Sequence, residues 1–495
     1  MLFRNQPPKP PFNEWMWKQP ENRHLLVLTG VLIVVHFAWF KLLFPYPNFI
    51  PDSYQYIRAA MSDTFVDMRP IGYSRFLRIF SCFSNSHFLL VSLQYLFLQA
   101  GVLYFLFVIR YLLQPCKWLW RAVVVLNVAN PLLSHVSNLV TSDALFTALT
   151  FIWFAQVLIL QWQPGQRLLA AHALVLLLAF TLRYNALYYP VISIIAILIG
   201  SLRFSQKAVG ILLVILPVCL FVLLTRYENK KTFGVAQFSA FSGWQLAANG
   251  LTAYAQLPAD DPARLPAALR TLHAVVNRHM DALRRLPNRP DSTMNIYYMW
   301  DKQSPLNRYR ASLFATPTAI GPEQQWALMG PLYEQYGRWL IGRHPAAFYR
   351  YFIVPNATTY LFPNAEFLAL YNIGDDTVRK EVVEWFKWPN NTVNSTAGKK
   401  PITLMGWLVF LQFFSTLLFV PACMGFALLK KFTASGRLVK NLFLLTVLVW
   451  AANAVFSISS AIVVLRYQIF SQAFSLTFGL LFLAHIILES RRLPR

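Results

Sequence analysis

Two strings near the start of the chain hold the residues best suited to chemistry. They are Pro51-Asp52-Ser53-Tyr54-Gln55-Tyr56-Ile57-Arg58 and Arg69-Pro70-Ile71-Gly72-Tyr73-Ser74-Arg75. Asp52 follows a proline at a helix start, where an acid either caps the helix or is kept for function. Three more ionisable residues stand at the ends of apolar stretches: Asp143 after Thr141-Ser142, Arg183 between Leu182 and Tyr184, and Arg466 between Leu465 and Tyr467. Ionisable groups near membrane depth are costly and point to function. The planar guanidinium fork suits bidentate contact with phosphate, so acids and arginines gathered from separate segments fit an enzyme acting on an amphiphilic, anionic substrate. Plainer readings stand beside each. Arg183 and Arg466 can be snorkelling anchors, Asp143 can pair with Arg183 as structural glue, and Tyr54, Tyr56 and Tyr73 can belong to an interfacial aromatic belt.

The elements that must position these residues are membrane helices. Of 495 residues, 56 % are hydrophobic, 16 % aromatic and 13 % charged, against about 25 % charged in soluble domains. The expected fold is an all-α polytopic membrane protein with about ten transmembrane helices. Apolar stretches long enough to span a bilayer are placed at Leu25–Phe44, Phe88–Leu112, Ala122–Leu139, Ala144–Leu160, Leu168–Leu182, Ala186–Gly200, Ala208–Leu224, Leu404–Leu429, Asn441–Ser460 and Tyr467–Leu488. The first is expected to stay as an anchor, because no small-residue cleavage site follows it.

The net charge is +24, from 44 basic and 20 acidic residues. With both termini cytoplasmic, basic residues fall in every inside loop: Arg4, Lys9, Lys18 and Arg23; Arg110, Lys117 and Arg121; Arg167; Arg203 and Lys207; Lys430, Lys431, Arg437 and Lys440; and Arg491, Arg492 and Arg495. This satisfies the positive-inside rule. Spread this way, the charge suits anionic membrane lipids and argues against nucleic acid.

The expected organisation is an N-terminal transmembrane module (1–225) with a first outside loop (45–87), an outside domain (226–400), and a C-terminal transmembrane module (401–495). The outside domain is expected to be mainly helical or α/β, with helical patterns over Pro262–Leu286, Pro322–Ile341 and Asp375–Trp388. The aromatic stretch Phe348–Phe362 is expected to lie in the membrane interface. Asp52, Arg69, Asp143, Arg183 and Arg466 then all meet one membrane face. A coupled transporter instead binds near the midplane at broken helices. Four scattered cysteines and nine histidines show no metal spacing; His273 and His279 are six apart, off the i, i+4 spacing of a helical zinc pair.

The ordered set of motifs resembles GT-C glycosyltransferases, in the branch of protein mannosyltransferases and lipid A aminoarabinose transferases. Asp52 and Tyr56 match the "proline, Asp, small residue, then Tyr" stretch after the first span. Arg69-Pro70-Ile71-Gly72-Tyr73-Ser74 matches the later "Arg-Pro-Pro-Gly-Tyr-Pro", with Ile71 and Ser74 in place of two prolines. Thr141-Ser142-Asp143, Arg183-Tyr184-Asn185-Ala186-Leu187, Gly342-Arg343-His344-Pro345 and Arg466-Tyr467 echo further motifs in order.

The resemblance implies an inner-membrane enzyme of the cell envelope with its site facing the periplasm or lumen. It would transfer a hexosyl or pentosyl group from a polyprenyl-phosphate-linked sugar donor, with inversion, to a glycan, lipid or protein acceptor. It implies Asp52 as general base, with Asp143 orienting the acceptor or Asp52. Arg69, Arg183 and Arg466 would hold the phosphate, and Tyr56, Tyr73, Tyr184 and Tyr467 would line the substrate pocket. No resident cofactor is expected, and a divalent cation between Asp52 and the phosphate stays open. Two alternatives are a non-catalytic carrier or export component for lipid-linked glycans, and a glycan polymerase or ligase.

Overall fold

The computed structural model of the chain describes residues 10–292, 296–316, 320–396, 398–429, 432 and 436–490. Arg4, Lys9, Lys430, Lys431, Arg491, Arg492 and Arg495, used above to orient the chain, lie outside the described residues. Eight described helices are long and apolar enough to cross a membrane: Pro20–Leu43, His87–Leu113, Lys117–Ser137, Asp143–Leu160, Phe204–Phe233, Leu404–Leu428, Arg437–Ser460 and Ile469–Ser490. Gln166–Leu182 and Tyr184–Ile199 are apolar but shorter. Each of the ten expected spans is thus a helix, and eight meet the length and composition of a span. This is the architecture of a multi-pass helical membrane protein.

Without a hydrophobic drive between helices in lipid, small residues set close packing. A Cβ on Gly101 would lie 2.8 Å from the Ala148 carbonyl oxygen, so glycine lets His87–Leu113 approach Asp143–Leu160. Behind this contact, Trp153 stacks on Tyr189 at 3.9 Å, and its indole N–H donates to Ser193 Oγ at 3.0 Å.

The stretch 233–340 has its own apolar core, built from Trp244, Leu251, Leu269, Leu272, Val276, Trp326, Tyr333 and Leu340 among others, whereas Leu368, Val378, Val382, Trp385, Phe386 and Val393 join the main core of the membrane helices. The helices Ala240–Tyr254, Ala267–Arg284 and Pro322–Arg343 supply it. Trp244 stacks on Trp326 with centroids 3.7 Å apart. Val66 of the first loop is buried in this core, which anchors the chain just ahead of Arg69.

Two details differ from expectation. The α/β alternative does not hold among the described residues: only three isolated bridges occur, Asn48 with Leu139, Asn364 with Val464 and Thr377 with Thr392. The helix expected over Asp375–Trp388 is confined to Lys380–Phe386. Asn372 and Ile373 adopt positive φ of 47° and 58°, and the Asn372 amide donates to the Asp375 and Thr377 carbonyls, so the chain turns before the helix begins. The stretch expected to lie in the interface is helical, Pro345–Phe348 and Val354–Leu361 flanking a π turn at Tyr349–Ile353.

Candidate active site

The helix that carries Asp52 starts without its help. Pro51 is the first residue of Pro51–Met61, where its missing N–H is no loss. The Ile50 N–H instead donates to Ser53 Oγ at 3.1 Å. The capping reading of Asp52 therefore fails. Asp52 is buried, and its carboxylate accepts from Arg69 Nη2 at 2.7 Å and from Arg466 Nη1 at 3.1 Å.

Two bridges bring the distant segments together. Asn48 N–H donates to the Asn138 carbonyl at 2.8 Å, and the Asn48–Leu139 bridge lays the approach to Asp52 beside the approach to Asp143. Leu465 N–H donates to the Asn364 carbonyl at 2.8 Å, and the Asn364–Val464 bridge sets Glu366 beside Arg466. Gly72 gives the third junction: a Cβ there would meet the Thr181 backbone at 2.7 Å. The glycine of the Arg69–Tyr73 string lets this loop dock on the end of Gln166–Leu182, next to Arg183.

Arg466 is the hub. Its Nη1 reaches Asp52 and also Asp143 Oδ2, at 3.4 Å, while its Nε stands 3.4 Å from Glu366 Oε2. Asp143 starts its helix, accepts from Thr141 Oγ1 at 2.7 Å, and is held by Arg183 Nη1. Neither arginine is a snorkelling anchor; both face acids inside the protein. The Tyr467 ring lies between them, 4.1 Å from the Arg183 guanidinium carbon and 4.6 Å from that of Arg466. Arg69 also donates through Nε to Gln55 Oε1 at 2.6 Å.

These groups line one cavity of about 490 Å³. Asp52, Tyr56, Arg69, Asp143, Arg183, Tyr184, Arg466 and Tyr467 all face it. From the charged centre it runs along Thr147 and Thr150 of Asp143–Leu160, and past Tyr188, Asn453 and Phe456. On the other side it is lined by Phe241 and Gln245 of Ala240–Tyr254 and by Trp300, which stacks on Trp326 of the second core. Tyr73 is the exception. It is fully buried behind the cavity wall, donates to Gln94 Oε1 at 2.6 Å and packs edge-on against Tyr56 at 4.9 Å, so it positions Tyr56. Tyr54 packs under Arg379. His344 is likewise elsewhere, 2.6 Å from Asp260 in the second core.

Burial works to raise the Asp52 carboxyl, but the charges of Arg69 and Arg466 outweigh it and hold the group below the usual carboxylate value. Glu366 goes the other way: burial raises it, Arg466 only partly opposes, and the Asp52 charge adds to the rise. Glu366 and the aromatic wall of Phe241 and Trp300 are among the cavity residues that the motifs do not mark. Glu366 is a lone acid between Ala365 and Phe367 with no local pattern to mark it. Among the described residues no group of three His, Cys, Asp or Glu is placed to hold a metal ion, and the acids of the cavity are engaged by guanidinium groups.

No family model, curated protein or solved structure matches the chain.

Proposed function

We propose that this protein is a membrane glycosyltransferase that moves a sugar from a polyprenyl-phosphate donor to an acceptor hydroxyl at the outer face of the membrane. The observation that carries the reading is the convergence of Asp52, Asp143 and three arginines from segments up to 414 residues apart on one cavity. That cavity joins a charged centre to an arm between membrane helices. A lipid-linked anion needs both.

The chemistry follows from the residues. Arg69, Arg183 and Arg466 receive the donor phosphate, whose oxygens compete with Asp52 for the first and the last. As those guanidinium groups turn to the phosphate, Asp52 loses the contacts that depress its basicity. The acceptor hydroxyl then gives its proton to Asp52, and its oxygen forms the new bond to the anomeric carbon. The bond from that carbon to the phosphate oxygen breaks, and the electron pair leaves with the lipid phosphate, where the arginines stabilise it. The displacement inverts the anomeric centre. Asp143 holds Arg183 and Arg466 in place; it is a positioning residue in this scheme. The wall of Trp300 and Phe241 gives a sugar ring an apolar face to stack on.

The experiment is mass spectrometry of lipid-linked sugars and envelope glycans from cells with and without the gene, paired with transfer by the purified protein. Accumulation of a polyprenyl-phosphate sugar and loss of one glycan modification on deletion is the expected result. Unchanged lipid-linked sugars and glycans would refute the proposal.

A further inference from the structure

The charges that meet at the cavity centre cancel. Among the described residues, three guanidinium groups (Arg69, Arg183, Arg466) face three carboxylates (Asp52, Asp143, Glu366). A phosphodiester anion entering a neutral cluster gains little attraction unless one carboxylate gives way, because like charges in a site of low dielectric repel strongly.

The three carboxylates are not equally held. Asp52 has guanidinium contacts at 2.7 and 3.1 Å. Asp143 has Arg183, Arg466 and the Thr141 hydroxyl. Glu366 has a single ion-pair contact, at 3.4 Å to Arg466 Nε. Neither of those two buried atoms makes a hydrogen bond. Its backbone is also strained, with φ at +48°, a region that side chains other than glycine rarely occupy. Such strain persists where surrounding structure imposes it, and it clusters at functional sites. The Asn364–Leu465 hydrogen bond lies two residues before Glu366, and Glu366 lines the cavity.

We infer that Glu366 is the exchangeable counter-ion of Arg466: when a phosphodiester anion enters the arginine cluster, Glu366 takes up a proton from solvent and a phosphate oxygen replaces it on Arg466 Nε. The inference rests on the phosphate-binding reading above. The balance is one proton gained by Glu366 and one negative charge gained from the ligand, so the cluster stays neutral with the anion in place. When the lipid phosphate leaves, the proton returns to water.

The charged groups around Glu366 are Arg466 on the segment bridged to it, and Asp52 and Arg69 across the cavity; the Tyr467 ring lies against Arg466. Burial and the Asp52 charge already raise Glu366 in the empty site, and an anion on Arg466 raises it further by adding a like charge and removing the one close cation.

The test uses the full chain in lipid nanodiscs and a farnesyl methyl phosphodiester. That probe carries a single ionisation far below the range used, so the ligand does not titrate. Binding is measured between ~pH 5 and ~pH 8, with calorimetry in two buffers of different ionisation heat. Wild type is expected to lose affinity as pH rises, by up to about tenfold per unit where free Glu366 is ionised and bound Glu366 is protonated, and to take up close to one proton per anion. Glu366→Gln is expected to bind at the high end of the range as tightly as wild type does at the low end, without slope. If that variant does not fold, the wild-type proton count stands alone, and Glu366→Asp, with its shorter reach, must move the slope along the pH axis. A flat wild-type profile with no proton uptake, or a slope unchanged in Glu366→Gln or Glu366→Asp, overturns the inference and leaves phosphate binding intact. No binding of the probe by wild type at any pH overturns both.

Discussion

Two polar networks in this molecule differ in one respect that separates structure from function. In the second core, Tyr254 OH donates to Asn277 Oδ1 at 2.6 Å and accepts from Asp260 N–H at 2.8 Å. The Asn277 amide returns to the Asp260 carbonyl at 2.9 Å, His273 meets Tyr336 OH at 2.8 Å, and His344 meets the Asp260 carboxylate at 2.6 Å. The contacts are short and come from one stretch of chain. The cavity network spans most of the chain, leaves Arg466 Nε and Glu366 Oε2 without hydrogen bonds, and keeps its charges against open volume. A satisfied network fixes a core. A cluster of opposed charges left loose beside a cavity stores interactions that a ligand can take over.

The comparison can be broken most severely at Arg466. Arg466→Ala leaves Asp52, Asp143 and Glu366 without their common partner, and breaking a buried pair this way costs about 3–5 kcal/mol. The expected result is a lowered melting temperature together with loss of sugar transfer and of polyprenyl-phosphate binding. Arg466→Lys restores stability better than it restores binding, since the charge returns without the fork. A variant that loses neither would remove the hub from the account.

In the satisfied network, His344→Ala deletes one close hydrogen bond to Asp260. The expected cost is about 1–3 kcal/mol, read as a lowered melting temperature, with turnover per folded molecule unchanged. A selective loss of turnover would move His344 into the functional set and blur the distinction.

The smallest effect concerns Asp67, two residues before Arg69. Burial pushes its carboxyl up to about 6, against a partial opposing effect from the Met68 N–H it accepts. The folded chain therefore holds a proton there that the unfolded chain, with an ordinary Asp near 3.9, has released. Stability is greatest below the unfolded value, falls as pH rises toward and past about 6, and is level beyond. Asp67→Asn keeps the bond from Met68 and removes that slope. A gain of a fraction of ~3 kcal/mol at neutral pH is expected, because Asp67 keeps part of its surface exposed. Melting curves of both proteins at several pH values decide it.

What the sequence made legible were the features with local physical signatures. Apolar length located all ten helices to within a few residues at most ends, since the bilayer demands it. Charges at the ends of those helices marked Asp52, Asp143, Arg183 and Arg466, because ionisable groups are rare there. What stayed hidden depends on long-range contact. Nothing around Glu366 shows that Asn364 pairs with Val464, and nothing in the Tyr73 string separates a residue facing the cavity from one packed behind it. Asp52 was open to a capping reading because the substitute donor pair, Ile50 with Ser53, is only evident once the helix start is fixed.

The central claim, that Asp52 removes a proton from an acceptor at this cavity, is tested most directly by the turnover of purified Asp52→Asn beside wild type. Polyprenyl-phosphate sugar and native acceptor are supplied, and binding of the donor lipid is measured on the same samples. Asparagine keeps the size and one oxygen for Arg69 and Arg466 but cannot take the proton. The account predicts a fall in turnover of about 10²–10⁴, with donor binding retained or tightened because a competing negative charge is gone. Near-normal turnover by Asp52→Asn would contradict it.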